Sequence, residues 1–268
     1  MPACEKSESV GLFAPDGYAH QQQGPSAPRP FAMQPLFTFV TPPAPCGYLP
    51  EQKWQLRYDI VGELSPDEYL QRMKDGWRRF GFSLFRPECP SCRACQVIRV
   101  PVDRFRMNTS QKRAKQRNAN EIRIEIGEPI VTDEKLQLYD RYHAFQAEAK
   151  GWPERDPESP GDYVESFVSN PFPTEEWCYY LGETLVGVGY VDVVPEGLSA
   201  IYFYYEPELR DRSLGTFNVI SIIESVQARK QPHLYLGFYV EGCRSLAYKA
   251  NFRPNELRDS DGTWHDFQ

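Results

Sequence analysis

The sequence predicts an α+β protein. Two observations carry this. A meander of three strand-like runs in the second half leads through a loop into a helix and then a further buried strand. In the first half, strand-like runs are interrupted only by short, well-signalled helices. Residues 1–34, with QQQ, GPSAPRP and few apolar residues, are expected to form a disordered tail. Two blocks follow, 35–128 and 129–268.

In the first block, LFTFV (36–40) and WQLRYDI (54–60) read as strands rich in aromatic and branched residues. Ser65-Pro66-Asp67-Glu68 is a capping box with proline at the first helical position, and Gly76 is a plausible stop. RFGFSLF (79–85), QVIRV (96–100) and the alternating EIRIEI (121–126) are further strands. Ser110 to Asn118 reads as a short basic helix whose cations spread around its circumference, so it is expected to be exposed.

In the second block, Thr132 caps a helix over Asp133 to Ala149 with an acidic first turn. The Gly/Pro-rich loop 151–161 precedes a short helix. EWCYYL (176–181), Leu185–Val194 and LSAIYFYYE (198–206), joined by Gly182-Glu183 and Pro195-Glu196-Gly197, form the meander. Thr216–Arg229 is a helix, HLYLGFYV (233–240) a buried strand, and Ser245–Ala250 a last short helix.

Charge is segregated. Arg72 to Arg117 carries 13 Lys/Arg against 3 Asp/Glu, while the rest of the 268 residues carries 17 against 34. A polyanion, most commonly nucleic acid, is the natural reason to hold such a basic stretch together; a solvated helix face is the plainer reading. No apolar run reaches the ~20 residues needed to span a bilayer. Seven cysteines without a secretory signal argue against a disulfide framework and for a reducing cytoplasm.

Cys89, Cys92 and Cys95 make two overlapping C-x-x-C steps, and Cys46 is the best candidate for a fourth ligand. The set suits zinc and an iron–sulfur cluster equally, and either is favoured over free thiols. Ser213-Leu214-Gly215-Thr216 opens a helix after a strand, with Arg210 and Arg212 just before it, which is a ready anion site. Gly215 easing helix packing is the even alternative. Phe217 stands where acetyltransferase-like folds carry a small residue, which speaks against a coenzyme A pyrophosphate. Gly76-Trp77-Arg78-Arg79 and Tyr248-Lys249-Ala250-Asn251-Phe252-Arg253 each pair cations with an aromatic ring. No catalytic triad, His-rich metal motif or P-loop is present.

These segments together resemble the arginyl-/leucyl-tRNA–protein transferase family of the N-degron pathway, nearest to its bacterial aspartate/glutamate leucyltransferase branch. The matching pieces are PCGYLP (45–50), GWRRFG (76–81), the cysteine triplet, SQKR (110–113), LSAIY (198–202), RSLGT (212–216), YLGFY (235–239) and YKA (248–250). Gln146–Pro153 departs from the leucyl branch and is not like the arginyl branch either.

The resemblance implies an acetyltransferase-like (GNAT) C-terminal domain after an N-terminal family domain bearing the cysteines. It implies transfer of an amino acid, leucine before arginine, from aminoacyl-tRNA to the N-terminal α-amine of proteins beginning with Asp or Glu. On this reading Ser213, Gly215, Thr216, Tyr248 and Lys249 form the catalytic region. Arg78, Arg79, Lys249 and Arg253 bind the acidic acceptor, and Lys112, Arg113, Lys115 and Arg117 grip the tRNA. Related eukaryotic arginyltransferases hold an iron–sulfur cluster on N-terminal-domain cysteines. Cys46, Cys89, Cys92 and Cys95 are similar in placement but differently spaced. The competing readings are a coenzyme-A-dependent N-acetyltransferase and a metal-stabilised RNA-binding module.

Overall fold

The structure, a computed structural model, describes residues 34–152 and 160–268. The expected tail, apart from residue 34, and residues 153–159 of the expected loop lie outside the described residues. The strands are β1 (Phe37–Val40), β2 (Ala44–Pro45), β3 (Lys53–Trp54), β4 (Leu56–Ile60), β5 (Arg78–Phe80), β6 (Ser83–Pro87) and β7 (Gln96–Pro101). They continue with β8 (Ile122–Gly127), β9 (Thr174–Leu181), β10 (Thr184–Val194), β11 (Gly197–Tyr205), β12 (His233–Tyr239), β13 (Glu256–Arg258) and β14 (Trp264–Asp266). The helices are α1 (Pro66–Lys74), α2 (Thr109–Asn118), α3 (Asp133–Lys150), α4 (Pro160–Tyr163), α5 (Leu214–Ala228) and α6 (Arg244–Ala247).

Two sheets dominate. A four-stranded sheet runs β1-β4-β6-β5, and an eight-stranded sheet runs β14-β13-β7-β12-β11-β10-β9-β8. The expected α+β class is found. Strands β7 and β8, which belong to the 35–128 stretch, hydrogen-bond into the large sheet beside strands from the second.

Side-chain alternation along β9 explains why both faces of the large sheet are covered. Trp177 and Tyr179 point to α5 and pack with Val100, Leu198, Ile223 and Leu234. Cys178 points the other way, to α3, with Leu138, Tyr139, Phe167, Val188 and Tyr204. A third cluster joins α1 to the four-stranded sheet through Tyr69, Met73, Trp77 and Leu84, and reaches Val194 and Tyr235 of the large sheet.

Local signals hold where they were strong. Ser65 and Glu68 close the capping box on α1, with Glu68 N–H donating to Ser65 Oγ at 3.2 Å and Ser65 N–H to Glu68 Oε2 at 2.9 Å. Thr132 caps α3. Helix α2 is capped by a reciprocal pair further upstream, Asn108 with Gln111. The strand expected over 79–85 is instead a hairpin, β5 and β6. Gly81 turns it at φ 52°, and a Cβ there would lie 1.9 Å from the Glu165 carbonyl oxygen, so only glycine fits.

Candidate active site

The parallel neighbours β11 and β12 pair only at Gly197–His233, Leu198–Leu234 and Ser199–Tyr235. Beyond that point β11 runs on to Tyr205 and β12 to Tyr239 without hydrogen-bonding to each other. A sheet that divides in this way opens a cleft between two strand ends, and α5 starts after β11 by way of a helical turn over Pro207–Arg212.

At that helix start Ser213 adopts a left-handed conformation (φ 58°) and makes no side-chain cap. The N–H groups of Thr216 and Phe217 both donate to the Ser213 carbonyl, at 3.0 Å each. Those of Leu214 and Gly215, the first two of the helix, have no acceptor within it. A Cβ on Gly215 would meet nothing within 4 Å. Helix packing therefore does not account for the glycine, and the space beside the helix start is open. Phe217 is buried and packs edge-on to Tyr179, so its ring turns inward and leaves the helix start open. The expectation that this ring obstructs a phosphate group is corrected.

On the other side of the cleft, Gly237 sits at φ 81°, inside a register shift between β12 and β7. A Cβ there would stand 3.4 Å from Arg78 Nε and 3.5 Å from Lys249 Nζ. The two cations thus approach one backbone position. Arg78 is only 7% exposed. Its Nη1 donates to the carbonyls of Met73 (3.3 Å) and Trp77 (2.6 Å), and its guanidinium lies over the Phe238 ring. Its Nε and Nη2 have no hydrogen-bond partner. Lys249 Nζ donates to the Phe238 carbonyl at 2.9 Å. Burial, with the nearby Arg78 charge second, brings its pKa down to about 7; burial lowers Arg78 to about 10. Two close cations with no carboxylate partner among the described residues make a candidate site for an anion.

The remaining expected acceptor residues behave differently. Arg79 is committed elsewhere: it donates to both Asp192 carboxylate oxygens, to Asn170 Oδ1, to Thr174 Oγ1 and to the Gly81 carbonyl. All its N–H groups are used and its side chain is buried, so the expected acceptor role is corrected to a structural one. Arg253 is exposed on the α2 side, where its carbonyl accepts the Arg106 N–H at 3.2 Å. Tyr248 is 46% exposed. Tyr142 lies near it, and burial raises the pKa of the Tyr142 hydroxyl. Tyr142 packs against Tyr205 and Trp152, and next to it Gln146 is buried with Oε1 unpartnered. Sequence reading missed this lining. Gly237 alone was visible in advance, as a glycine inside a strand.

The four cations of α2 divide. Lys115 pairs with Glu224 on α5, and Arg117 donates to the Asp211 carbonyl, so both tie the helix down. Lys112 and Arg113 are exposed and, among the described residues, have no carboxylate partner.

Among the described residues Cys46, Cys89, Cys92, Cys95, Cys178 and Cys243 form no disulfide. Burial, with charge on Cys89, Cys46, Cys92 and Cys243 next, pushes the Cys95 thiol up to about 12, so these five lie within electrostatic reach of one another. Cys46 Sγ accepts the N–H groups of Tyr48 (3.4 Å) and Leu49 (3.5 Å). Yet among the described residues no three His, Cys, Asp or Glu side chains are placed to hold a metal ion. The donor chemistry fits zinc or a cluster and the placement does not close around one, so no step below is routed through a metal.

A divided parallel strand pair, an open helix start and a pair of close cations are thus the features of the candidate site. The chain belongs to the arginine-tRNA-protein transferase family: the N-terminal family description matches residues 44–113 and the C-terminal one residues 134–259. Among its relatives is an aspartate/glutamate leucyltransferase of Campylobacter jejuni, 32% identical over 222 residues, covering 82% of this chain and 91% of that protein. Proteins of the same name from Alkalilimnicola ehrlichii (37% over 213 residues, 77% and 84% covered) and Marinobacter nauticus (35% over 243 residues, 87% and 97%) are similar. No helix among the described residues is long and apolar enough to cross a membrane.

Proposed function

We propose that this chain transfers leucine from leucyl-tRNA to the N-terminal α-amine of proteins that begin with aspartate or glutamate, marking them for degradation. The single observation that carries the acceptor half is the convergence of buried Arg78 and half-buried Lys249 on Gly237, neither paired with a carboxylate among the described residues. A β- or γ-carboxylate placed there completes the unused Arg78 donors and draws Lys249 into its charged form. The donor half rests on the family and on the relatives' names, which favour leucine over arginine.

The C-terminal part works, on this reading, as an acetyltransferase-like fold does, with the acyl group presented in the cleft between β11 and β12. The reaction is aminolysis of an ester. The acceptor nitrogen bonds to the aminoacyl carbon, the carbon–oxygen ester bond breaks, and the ribose hydroxyl of the terminal adenosine leaves with a proton. An α-amine has a pKa of about 7.7–8.0, so a usable share is neutral near neutral pH. No enzyme nucleophile is needed. Alignment of the two substrates contributes roughly 7–11 kcal/mol towards the barrier. The N–H groups of Leu214 and Gly215, beside Ser213 and Thr216, receive the oxyanion or the terminal phosphate. Lys112 and Arg113 grip the RNA backbone, with Arg106 and Arg253 on the same side; Lys115 and Arg117 hold α2 in place.

The deciding experiment offers leucyl- and arginyl-tRNA separately with peptides beginning in Asp, Glu or Ala, and reads the products by mass spectrometry. Leucine added to the Asp and Glu peptides alone is the expected result. Arginine in its place would move the chain to the other branch, and acetyl transfer from coenzyme A without tRNA would overturn the reading.

A further inference from the structure

Beside α2 lies a cavity of about 310 Å³ that the transfer chemistry does not use. Its lining comes from the loop after β7 (Phe105, Arg106, Met107), from Lys112, and from α5 (Ile220, Glu224, Gln227). The floor is apolar: Phe105 and Ile220 are buried, and Met107 packs against the same core. The rim is cationic. Arg106 donates only to the nearby carbonyls of Asp103 and Phe105, at 3.1 and 2.8 Å, and Lys112 has no carboxylate partner among the described residues. Two further groups on the rim, Glu224 partly exposed and Gln227 exposed, can read a polar edge. Glu224 shares one oxygen with Lys115 and keeps the other, and Gln227 spends its amide N–H on the Val102 carbonyl at 2.6 Å, leaving its oxygen to accept.

A cavity with an apolar floor and both acceptors and uncommitted cations around its rim fits one ligand chemistry well, a nucleobase carrying a phosphate. We propose that this cavity receives a single unstacked nucleotide of the donor RNA, its base against Phe105, Met107 and Ile220 and its phosphate on Arg106 and Lys112. Aromatic and apolar faces hold unstacked bases, while arginine and lysine hold the backbone. Acceptors on the rim favour a base with an exocyclic amine over uracil. The charge complementarity is local, because Arg113 extends the cationic rim along α2 while the net charge of the whole chain is -7. Glu224 lies nine residues beyond Gly215 on α5, roughly 13 Å along the helix, so one RNA strand can reach both the cavity and the helix start.

The inference rests on the tRNA-dependent reading, and its test separates the two. The full chain is titrated with uncharged tRNA across a salt series, as wild type, Met107→Trp, Gln227→Trp and Lys112→Ala, each checked for an unchanged melting temperature. The two tryptophans fill the slot from different sides without altering charge, so whichever of them folds serves. They should weaken binding about tenfold while leaving the salt slope as in wild type. Lys112→Ala should weaken binding and reduce the slope by roughly 0.7–0.9. Peptide leucylation at saturating leucyl-tRNA should keep its wild-type kcat in the tryptophan variants. Wild-type affinity in a folded tryptophan variant would overturn the cavity assignment and leave the transferase reading intact. Free AMP or CMP binding more tightly than about 1 mM would also overturn it, in favour of a free-nucleotide site. Failure of the wild type to bind tRNA at all would remove the transferase reading beneath it.

Discussion

Arg78 and Lys249 converge on Gly237 from two different parts of the chain, and neither meets a carboxylate there. Arg78 comes from the start of β5, and its backbone position is fixed by the hairpin with β6. Lys249 comes from the helical turn after α6 and is pinned by the Phe238 carbonyl. An anion site made this way is preorganised, since little side-chain freedom remains to be lost on binding.

Replacing Arg78 by alanine should raise KM for peptides beginning in Asp or Glu. A charge-assisted hydrogen bond contributes about 1.5–3 kcal/mol, so the rise should be roughly 10- to 100-fold, with tRNA affinity unchanged. Steady-state kinetics with each substrate varied in turn checks this. Equal loss on the tRNA side would remove Arg78 from the acceptor site.

Lys249 gives the acceptor site a pH signature. Its pKa in the free protein is brought down to about 7, chiefly by burial, so the charged form that attracts a carboxylate is present below that value and lost above it. KM for an Asp-starting peptide should therefore rise as pH goes from about 6 to 8, even though the attacking amine becomes more available over the same span. Arginine in place of Lys249 stays charged and should flatten the KM profile. A wild-type KM that does not change with pH would contradict this.

Arg79 and Asp192 should behave as a fold-holding pair. Both side chains are almost fully buried, at 1% and 0% exposure, and removing one leaves the other charged and unpaired. Arg79→Ala should cost about 3–5 kcal/mol in urea unfolding. Arg79 and Asp192 replaced together by Met and Leu should recover much of that loss. If Arg79→Ala unfolds like wild type and only loses acceptor binding, the sequence-based role was right after all.

Gly215→Val separates stability from function. The added side chain points into open space in the free protein, so the melting temperature should hold within a few degrees. Transfer should drop by an order of magnitude or more, because the same space is where the substrate's oxygen or phosphate must approach two N–H groups. Calorimetry alongside a turnover assay reads both.

The positions of many candidate-site residues, though not their roles, were legible before any coordinates. Ser213–Thr216, Arg78, Lys249, Lys112 and Arg113 all fall where their surroundings in the sequence put them, because glycine, serine and arginine at element ends have local meanings. Arg79 failed that test. Adjacent arginines on a strand point to opposite faces, and nothing local says which face is buried; Asp192, which consumes Arg79, is more than a hundred residues away. The split of α2 into two tied and two free cations depends likewise on Glu224 and on the Asp211 carbonyl. The hairpin at Gly81 was hidden because the reason for the glycine is the distant Glu165 backbone. Strands β13 and β14 are three residues each, too short for a periodic pattern to show.

The placing of β7 has a further consequence for how the gene product can be divided. Its two neighbours, β12 and β13, both come from the last quarter of the chain, so the earlier segment is threaded through the later one like a wedge between two boards. A polypeptide severed after Glu128 would leave its rear fragment with a missing plank in the middle of its largest sheet and two raw edges prone to aggregate. The two halves should therefore be soluble only when co-expressed, and neither can have been shuffled on its own into another protein while keeping this architecture.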